Sequence, residues 1–384
     1  MNRILGMLLV LLACMISAGA EVAPDLTEQV LINDQAFEVR SPDKYRDKDH
    51  ATYVTRRKVT ITAPPGQTIG GLELRYKQIV PPAVRVEAYQ NGGWVEVYRE
   101  TPAFAAHYIP LPGEYSQIRV SAINEELQVT EVKVLGPGEP PEHVQVWRHP
   151  PKKVDMMLLS THPDDEVLWF GGLLPYYAGA QGKDVLVVNA VYGWYARRQE
   201  LLDCLWTCGV DIYPVMLRYP DEDGQLEEIY QQWAHRDGSP YDKMVSLIRQ
   251  YKPDVMVLHD VQGEYGHPAH ILYSQIGRKA VPKAADPAEH WQSAQQWGVW
   301  DVPKTYIHLW DQNEILMNWR VPLEAFDGMS AIDVARLGMQ CHRSQLGRGW
   351  RVSDGGSYDN RRFGLWRTTV GYDVLKKDMF ENIP

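Results

Sequence analysis

Two segments, far apart in the sequence, combine histidine with carboxylate residues at a spacing suited to metal binding. The first holds His162, Asp164 and Asp165, and the second holds His267 and His270. An imidazole and a carboxylate three residues apart across a turn can face one point, and both are good ligands for zinc or a similar divalent ion. Two histidines and one carboxylate leave an open coordination position, which is typical of catalytic zinc sites.

The groups in these segments that are not needed as ligands have the chemistry of a hydrolase. A metal-bound water molecule has a pKa close to neutrality, and Asp164 is free to take its proton. Either His267 or His270 can serve as the second imidazole ligand. The other histidine can then donate a hydrogen bond to a developing oxyanion. For Asp165 alone, capping of a helix N-terminus is the structural alternative.

The elements that must position these residues form an alternating pattern of strands and helices. Buried strands are predicted by apolar runs at residues 154–159, 185–188, 212–217 and 255–258. Helices are predicted over about 165–181, 197–208 and 241–251. This alternation is typical of an α/β fold with a doubly wound, mostly parallel sheet, in which ligands bind at the carboxyl ends of the strands. The two segments follow the first and fourth strands, so we expect them to meet at one rim.

The chain before about residue 136 has the pattern of an antiparallel β-sandwich. Apolar and polar residues alternate at 84–88, a turn sequence follows at 91–93, and alternation resumes at 94–98. The Gly- and Pro-rich run 136–141 ends this pattern. We therefore divide the chain after the first twenty residues into a β-sandwich domain, a linker and an α/β domain, at 21–136, 137–150 and 151–384.

Residues 1–20 have the features of a signal peptide. Arg3 precedes an apolar run at 4–16 that is too short to span a bilayer, and small residues at 18–20 suit cleavage. Residues 11–14 also resemble a lipobox, in which Cys14 would carry a lipid anchor. We therefore expect a secreted or otherwise extracytoplasmic protein, with a lipoprotein as the alternative. No transmembrane helix is expected in the mature chain.

The composition limits the class of partner. The chain has 384 residues, of which 45% are hydrophobic, so it can bury two sizeable cores. Its formal net charge of −10 argues against a nucleic-acid partner, which would require a basic surface.

Four segments, in the same order along the chain, resemble the motifs of the PIG-L (LmbE-like) family of metal-dependent de-N-acetylases. They lie at residues 161–166, 197–200, 263–270 and 341–345. The first and third carry the specificity of the match. The resemblance implies metal-dependent removal of an acyl group, normally acetyl, from the nitrogen of an amino sugar.

The resemblance also implies a role for individual residues. It assigns the metal ligands to His162, Asp165 and His270. Asp164 is then the general base, His267 stabilises the oxyanion or protonates the leaving amine, and Tyr265 polarises the amide carbonyl. Ala269 replaces an Asp that is common in the family at this position.

Three further residues are candidate substrate contacts. The resemblance places Arg197 and Asp221 at sugar-hydroxyl positions. The respective alternatives are a surface ion pair of Arg197 with Glu200 or a nearby acid, and a solvated turn at Asp221. Trp194 follows the second predicted strand, so its ring is expected near the site and available to stack on a sugar.

The sequence as a whole predicts a zinc-dependent N-deacetylase acting on an N-acetylglucosamine-type glycan or glycoconjugate. Fe²⁺ also suits two histidines and one carboxylate. The β-sandwich resembles discoidin-type, galactose-binding domains, and binding of carbohydrate is its expected role. Two alternatives remain for the chain: an amidase that acts on a non-sugar amide such as a thiol conjugate, and a non-catalytic carbohydrate-binding protein. The free carboxylate of Asp164 favours an enzyme.

Overall fold

The computed structural model describes residues 21–33, 43–78, 80–191 and 193–383. The predicted signal peptide and the candidate lipid-anchor residue Cys14 lie outside the described residues. Within the described ranges, none of the helices combines the length and apolar composition that crossing a bilayer requires.

The N-terminal part of the chain forms two antiparallel sheets packed face to face. Its strands are β1 (Leu31–Ile32), β2 (Val54–Arg56), β3 (Lys58–Thr62), β4 (Ile69–Tyr76), β5 (Val84–Gln90), β6 (Gly93–Glu100), β7 (Ala106–Tyr115), β8 (Gln117–Ala122) and β9 (Leu127–Leu135). The strand orders are β1-β3-β8-β5-β6 and β2-β9-β4-β7. Alternating apolar residues such as Val86, Ile118 and Val132 form one core between the sheets, and full burial of each contributes about 1.5–3 kcal/mol. The discoidin-type assignment of this sandwich stays a prediction.

The C-terminal part is built on a mixed sheet with the strand order β12-β11-β10-β13-β14-β16-β15. Its strands are β10 (Met156–Ser160), β11 (Val185–Asn189), β12 (Val215–Met216), β13 (Val255–Leu258), β14 (Lys304–His308), β15 (Glu314–Leu316) and β16 (Arg362–Thr368). The strands from β12 to β14 pair in parallel, and β16 and β15 add an antiparallel edge. The expected mostly parallel sheet is therefore present, with an edge that the sequence pattern did not indicate.

Helices cover both faces of this sheet. They are α1 (Asp165–Leu168), α2 (Tyr195–Thr207), α3 (Leu226–Asp237), α4 (Pro240–Tyr251), α5 (Gly263–Gly266), α6 (Pro268–Ala285), α7 (Trp291–Trp297) and α8 (Ala331–Cys341), with short π- or 3₁₀-helical turns at Pro175–Ala180, Glu324–Phe326 and Arg343–Gln345. Along β10, Met156 and Leu158 pack into the core on the α2 and α8 side. Met157 and Leu159 pack into the core on the α4 and α6 side. This alternation is what a strand buried on both faces requires.

Two predicted elements differ from the structure. The single helix expected over about 165–181 is wrong, because α1 ends at Leu168 and only a π-helical turn at Pro175–Ala180 follows. Gly171 breaks the helix at a φ of 53°, and the side chain of Asn360 occupies the place where a Cβ would lie. The third strand, expected over 212–217, is only two residues long at Val215–Met216.

Helix α2 docks the α/β part of the chain onto the sandwich. Arg198 donates hydrogen bonds to three successive backbone carbonyls at the end of β4, at 2.7–3.0 Å. Gln199 donates to one of the same carbonyls, that of Tyr76, and to the carbonyl of Ala105. One turn later, the Asp203 carboxylate accepts hydrogen bonds from Arg75 Nη1 and His50 Nε2, both at 2.7 Å. Since the Arg75 side chain is only 4% exposed, the two parts meet through buried polar contacts as well as apolar ones.

Replacement of Asp203 by Ala should lower the free energy of unfolding by at least about 2 kcal/mol, because it leaves a buried arginine without one of its carboxylate partners. Urea denaturation followed by circular dichroism measures the change. Asp211→Ala is the matched control, since Asp211 pairs with Arg148 where both side chains are about half exposed. Such surface pairs contribute about 0–1 kcal/mol. Equal losses in the two variants would contradict a special role for the Asp203 contact.

Candidate active site

Three donor atoms converge where β10 and α6 approach the rim of the sheet. His162 follows β10, Asp165 begins α1, and His270 lies in the first turn of α6. The His162 Nδ1 atom is 3.1 Å from His270 Nε2 and 3.4 Å from Asp165 Oδ2, and His270 Nε2 is 3.2 Å from the same oxygen. Trp169 Nε1 donates to the other carboxylate oxygen of Asp165 at 2.7 Å. All three donors are buried, and this convergence of two imidazoles and a carboxylate fits one divalent ion.

Each histidine of this cluster is oriented by a second carboxylate. The Nε2 atom of His162 lies 3.0 Å from Asp221 Oδ1, and Nδ1 of His270 lies 2.8 Å from Glu264 Oε2. Such contacts fix which ring nitrogen faces the ion and raise its basicity. Burial alone would raise the pKa of Asp165, but the charge of His270 and hydrogen bonds from both histidines hold it well below its usual range. Asp221, which also lines the pocket, thus orients His162 in the way that Glu264 orients His270.

Glu264 is a buried carboxylate shared by several histidines. Its two oxygens lie 2.8–3.2 Å from nitrogens of His259, His270 and His308, and one accepts the backbone N–H of Asp260. Its φ of 55° is a strained conformation for this residue type. Burial opposes its ionisation, but the charge of His259 and hydrogen bonds from all three histidines hold its pKa well below the usual range. The sequence pattern did not indicate a role for Glu264, although His259 and His308 both stand at the carboxyl ends of parallel strands.

Asp164 lies beside the metal ligands without joining them. It is the residue before α1, and its φ of 123° turns the chain between His162 and Asp165. Its side chain is buried and lies 3.3 Å from Arg197 Nη2. Burial, and then the negative charge of Asp165, raise the pKa of Asp164 to about 7. A carboxylate with this pKa can both accept and return a proton near neutral pH.

A buried pair behind Asp164 holds its backbone in place. Glu166 Oε2 accepts the backbone N–H of Asp164 at 2.9 Å, and Glu166 Oε1 lies 2.6 Å from His342 Nε2. Both side chains are completely buried. Burial by itself would lower the pKa of His342, but the charge of Glu166 raises it above the usual value. His342 therefore contributes to the site by positioning Asp164 through Glu166.

Replacement of His342 by Gln should lower kcat by up to about tenfold and the free energy of unfolding by about 1–2 kcal/mol, because the amide keeps a donor to Glu166 but loses the charge. The metal content and KM should not change, since no metal ligand or pocket residue is altered. Steady-state kinetics and urea denaturation measure both effects. His235→Gln, at an exposed position of α3, is the control. A kcat equal to that of this control would contradict the positioning role.

His267 and Tyr265 face the pocket from the other side. His267 caps α6, and its Nδ1 atom accepts the Ala269 backbone N–H at 3.2 Å, which places the ring proton on Nε2. Burial, and then the charges of His270 and His162, lower the pKa of His267 to about 4. The ring is therefore a neutral hydrogen-bond donor near pH 7. The Tyr265 ring is 5.6 Å from the His267 ring and 43% exposed.

These residues line a small open pocket of about 160 Å³. The predicted residues on its walls are His162, Asp164, Asp165, Arg197, Asp221, Tyr265 and His267. His270 lies beneath them and is 1% exposed. Trp194 is not part of the lining; its ring packs edge-on against Tyr195 at the start of α2. The lining also includes Gln345, Arg348 and Trp350, which sequence analysis did not single out as site residues.

The weakest motif assignments have definite contacts. Arg197 donates to the Pro163 carbonyl at 2.5 Å and points at Asp164, not at Glu200. Glu200 instead accepts hydrogen bonds from the backbone N–H and the hydroxyl of Ser344, at 2.8 and 2.6 Å. The second and fourth motif segments are therefore in direct contact behind the pocket.

The part of the chain that carries this site is similar to proteins of known activity. Among curated relatives, a 1D-myo-inositol 2-acetamido-2-deoxy-alpha-D-glucopyranoside deacetylase of Geodermatophilus obscurus is 40% identical over 180 residues, which cover 39% of this chain and 60% of the relative. A deacetylase of the same description from Catenulispora acidiphila is 27% identical over 179 residues, which cover 39% and 54%. The aligned segment spans about half the length of such relatives.

Among solved structures, an N,N'-diacetylchitobiose deacetylase from Pyrococcus horikoshii is 18% identical, with a TM-score of 0.38 and coverage of 51% of this chain and 73% of that chain. Residues 157–281 match the family profile described as PIG-L, GlcNAc-PI de-N-acetylase. This segment contains all nine residues that the sequence analysis assigned to the site. Residues 157–281 therefore carry the sequence pattern of the PIG-L family.

Proposed function

We propose that the protein is a metal-dependent hydrolase that removes the N-acetyl group from an amino sugar. One observation carries the proposal: three convergent metal donors share a pocket with a buried carboxylate, Asp164, that is not one of them. The match of residues 157–281 to a de-N-acetylase family profile supports the same reaction.

The donor set supports zinc as the ion, and Fe²⁺ suits the same ligands. His162, Asp165 and His270 would hold it. A divalent ion at such a site supplies a water molecule of lowered pKa and polarises a carbonyl oxygen. The outer carboxylates of Asp221 and Glu264 set the orientation of the two imidazoles towards it.

Asp164 is the proposed general base. Its pKa of about 7 lets its carboxylate take a proton from the attacking water and return that proton to the leaving amine. Arg197, at 3.3 Å, orients the carboxylate. The Glu166–His342 pair fixes the backbone that carries it.

His267 is the proposed oxyanion donor. Its proton lies on Nε2, and its pKa of about 4 keeps the ring neutral near pH 7, so it stabilises negative charge by donating a hydrogen bond. The Tyr265 hydroxyl, on the same wall of the pocket, is a second donor to the amide carbonyl.

The polar walls of the pocket support a sugar as the substrate. Arg197, Asp221, Gln345 and Arg348 offer both donors and acceptors to hydroxyl groups. We propose an N-acetylglucosamine-type glycan or glycoconjugate, met outside the cytoplasm by a secreted chain or by one anchored through Cys14. The sandwich is proposed to bind carbohydrate.

The test is acetate release from a panel of N-acetylated sugars by the metal-loaded protein. We expect release that is abolished by a chelator and by His270→Ala. A panel of non-sugar amides, including thiol conjugates, runs in parallel. Release only from this second panel would mean that the substrate is a non-sugar amide. If metal-bound protein releases nothing from either panel, the result would favour a non-catalytic carbohydrate-binding protein.

A further inference from the structure

The pocket is too small to enclose more of a large substrate than the group that reacts. It encloses about 160 Å³, whereas sites that engulf a drug-sized ligand measure about 300–1,000 Å³. The rest of a larger substrate must therefore pass over the rim of the pocket. What the rim presents to that part of the substrate decides which substrates bind well.

One side of this rim is aromatic. Tyr265 and Trp350 line the pocket, and Tyr358 packs on the lining residue Trp169. These three side chains, which we call the aromatic rim, are 43%, 37% and 36% exposed. The Trp350 ring lies 4.8 Å from Tyr265 and 5.5 Å from the Trp169 ring, and the Tyr358 ring lies 5.7 Å from Trp169. Neighbouring large aromatic side chains that remain partly exposed mark an interaction surface more often than a solitary one does.

The aromatic rim packs on a side chain that is hydrogen-bonded to a proposed metal ligand. Trp169, against which Trp350 and Tyr358 pack, is 3% exposed, and its Nε1 atom donates to the proposed metal ligand Asp165. The distance between the rim and the reacting atoms is therefore set by a buried side chain. A group bound on the rim would be held at a fixed position relative to the scissile amide.

The chemistry of the rim matches a sugar ring. A pyranose presents an apolar C–H face that packs on an aromatic ring, and a polar edge of hydroxyl groups that needs hydrogen bonds. Trp350 offers the aromatic face, while Arg348 and Gln345 beside it offer polar groups on the same wall. A purely lipid-like or aliphatic group would offer these polar side chains no hydrogen bond.

We propose that the aromatic rim is a subsite for the sugar ring next to the reacting N-acetyl sugar, so that the substrate is an oligosaccharide or longer glycan. This inference rests on the proposed deacetylase function. It makes Trp350, not Trp194, the principal stacking residue. Binding on the rim should lower the KM for an oligosaccharide and leave the KM for a single sugar unchanged.

The test compares acetate release from N-acetylglucosamine and from N,N',N''-triacetylchitotriose by the wild type and by Trp350→Ala. Loss of one aromatic stacking contact should lower kcat/KM for the trisaccharide, mainly through KM, about tenfold more than it lowers kcat/KM for the monosaccharide. Trp291→Ala is the matched control, since Trp291 is 54% exposed and lies outside the pocket. Circular dichroism shows whether each variant is folded.

A wild type that prefers neither substrate, or a Trp350 variant that loses activity equally on both, would overturn the subsite. If the wild type hydrolyses neither these two sugars nor any other N-acetylated sugar of the panel, the deacetylase function fails, and calorimetric titration of the chelator-treated protein with triacetylchitotriose decides the subsite separately. Binding that Trp350→Ala weakens about tenfold, relative to Trp291→Ala, upholds the subsite. Absent or unchanged binding overturns it. Tyr358→Ala repeats the test without altering Trp350.

Discussion

Replacement of Asp164 by Asn should lower kcat for amide hydrolysis by about 10²- to 10⁴-fold, which is the usual contribution of a general base. The metal content should remain that of the wild type, because Asp164 is not among the three converging donors. Asn has the same shape and tolerates a positive φ, so it suits the backbone at 123°. Acetate release under saturating substrate, together with metal analysis of the purified variant, measures both quantities.

The control for this variant makes the same chemical change at another aspartate with a positive φ. Asp327 has a φ of 51° and is exposed, so Asp327→Asn should leave kcat unchanged. If Asp164→Asn retains most of the wild-type kcat, the proton acceptor has to be sought elsewhere in the pocket. If it loses its metal, Asp164 belongs to the ligand set.

Replacement of Glu264 by Ala should lower the free energy of unfolding by about 3–5 kcal/mol, because it removes a charged partner that three buried imidazoles share. The affinity for the metal should fall about 10- to 100-fold, since His270 loses the carboxylate that orients it. Glu264→Gln keeps an acceptor in the same place and should lie between Ala and the wild type on both measurements.

Urea denaturation in the presence of a chelator separates the stability effect from the effect on metal binding, and a competitive metal titration gives the affinity. Glu324→Ala, at an exposed residue of the chain, should change neither. Metal affinity equal to that of the wild type in Glu264→Ala would mean that His270 is oriented by its packing alone.

The strand ends that carry the proposed metal donors were predictable from the sequence. Uninterrupted apolar runs marked β10 and β13 as strands buried on both faces, and parallel pairing brings their carboxyl ends to one edge. His162 and His270 consequently lie 3.1 Å apart in the structure, although more than a hundred residues separate them. Within each segment, the residue types and their spacing were enough to predict histidine and aspartate as metal donors.

The partners of those donors were not predictable in the same way. His308 reaches Glu264 only because β14 pairs with β13, and the short β14 run does not stand out from the sequence pattern around it. Trp350 reaches the pocket on a loop whose path depends on the antiparallel edge strand β16. Trp194 lies outside the pocket lining, although the helix that begins at the next residue carries Arg197 into the pocket.

Helix α2 has a consequence for how the protein can be divided. It carries Arg197 into the pocket, and the next two residues bind the backbone of the sandwich. A chain trimmed to begin after the sandwich would expose the buried guanidinium of Arg198 and leave α2 without its outer support. A search for a minimal enzyme by N-terminal deletion would therefore record lost activity even if the sandwich never touches a sugar, and point substitutions on the sandwich surface are the cleaner route to its own role.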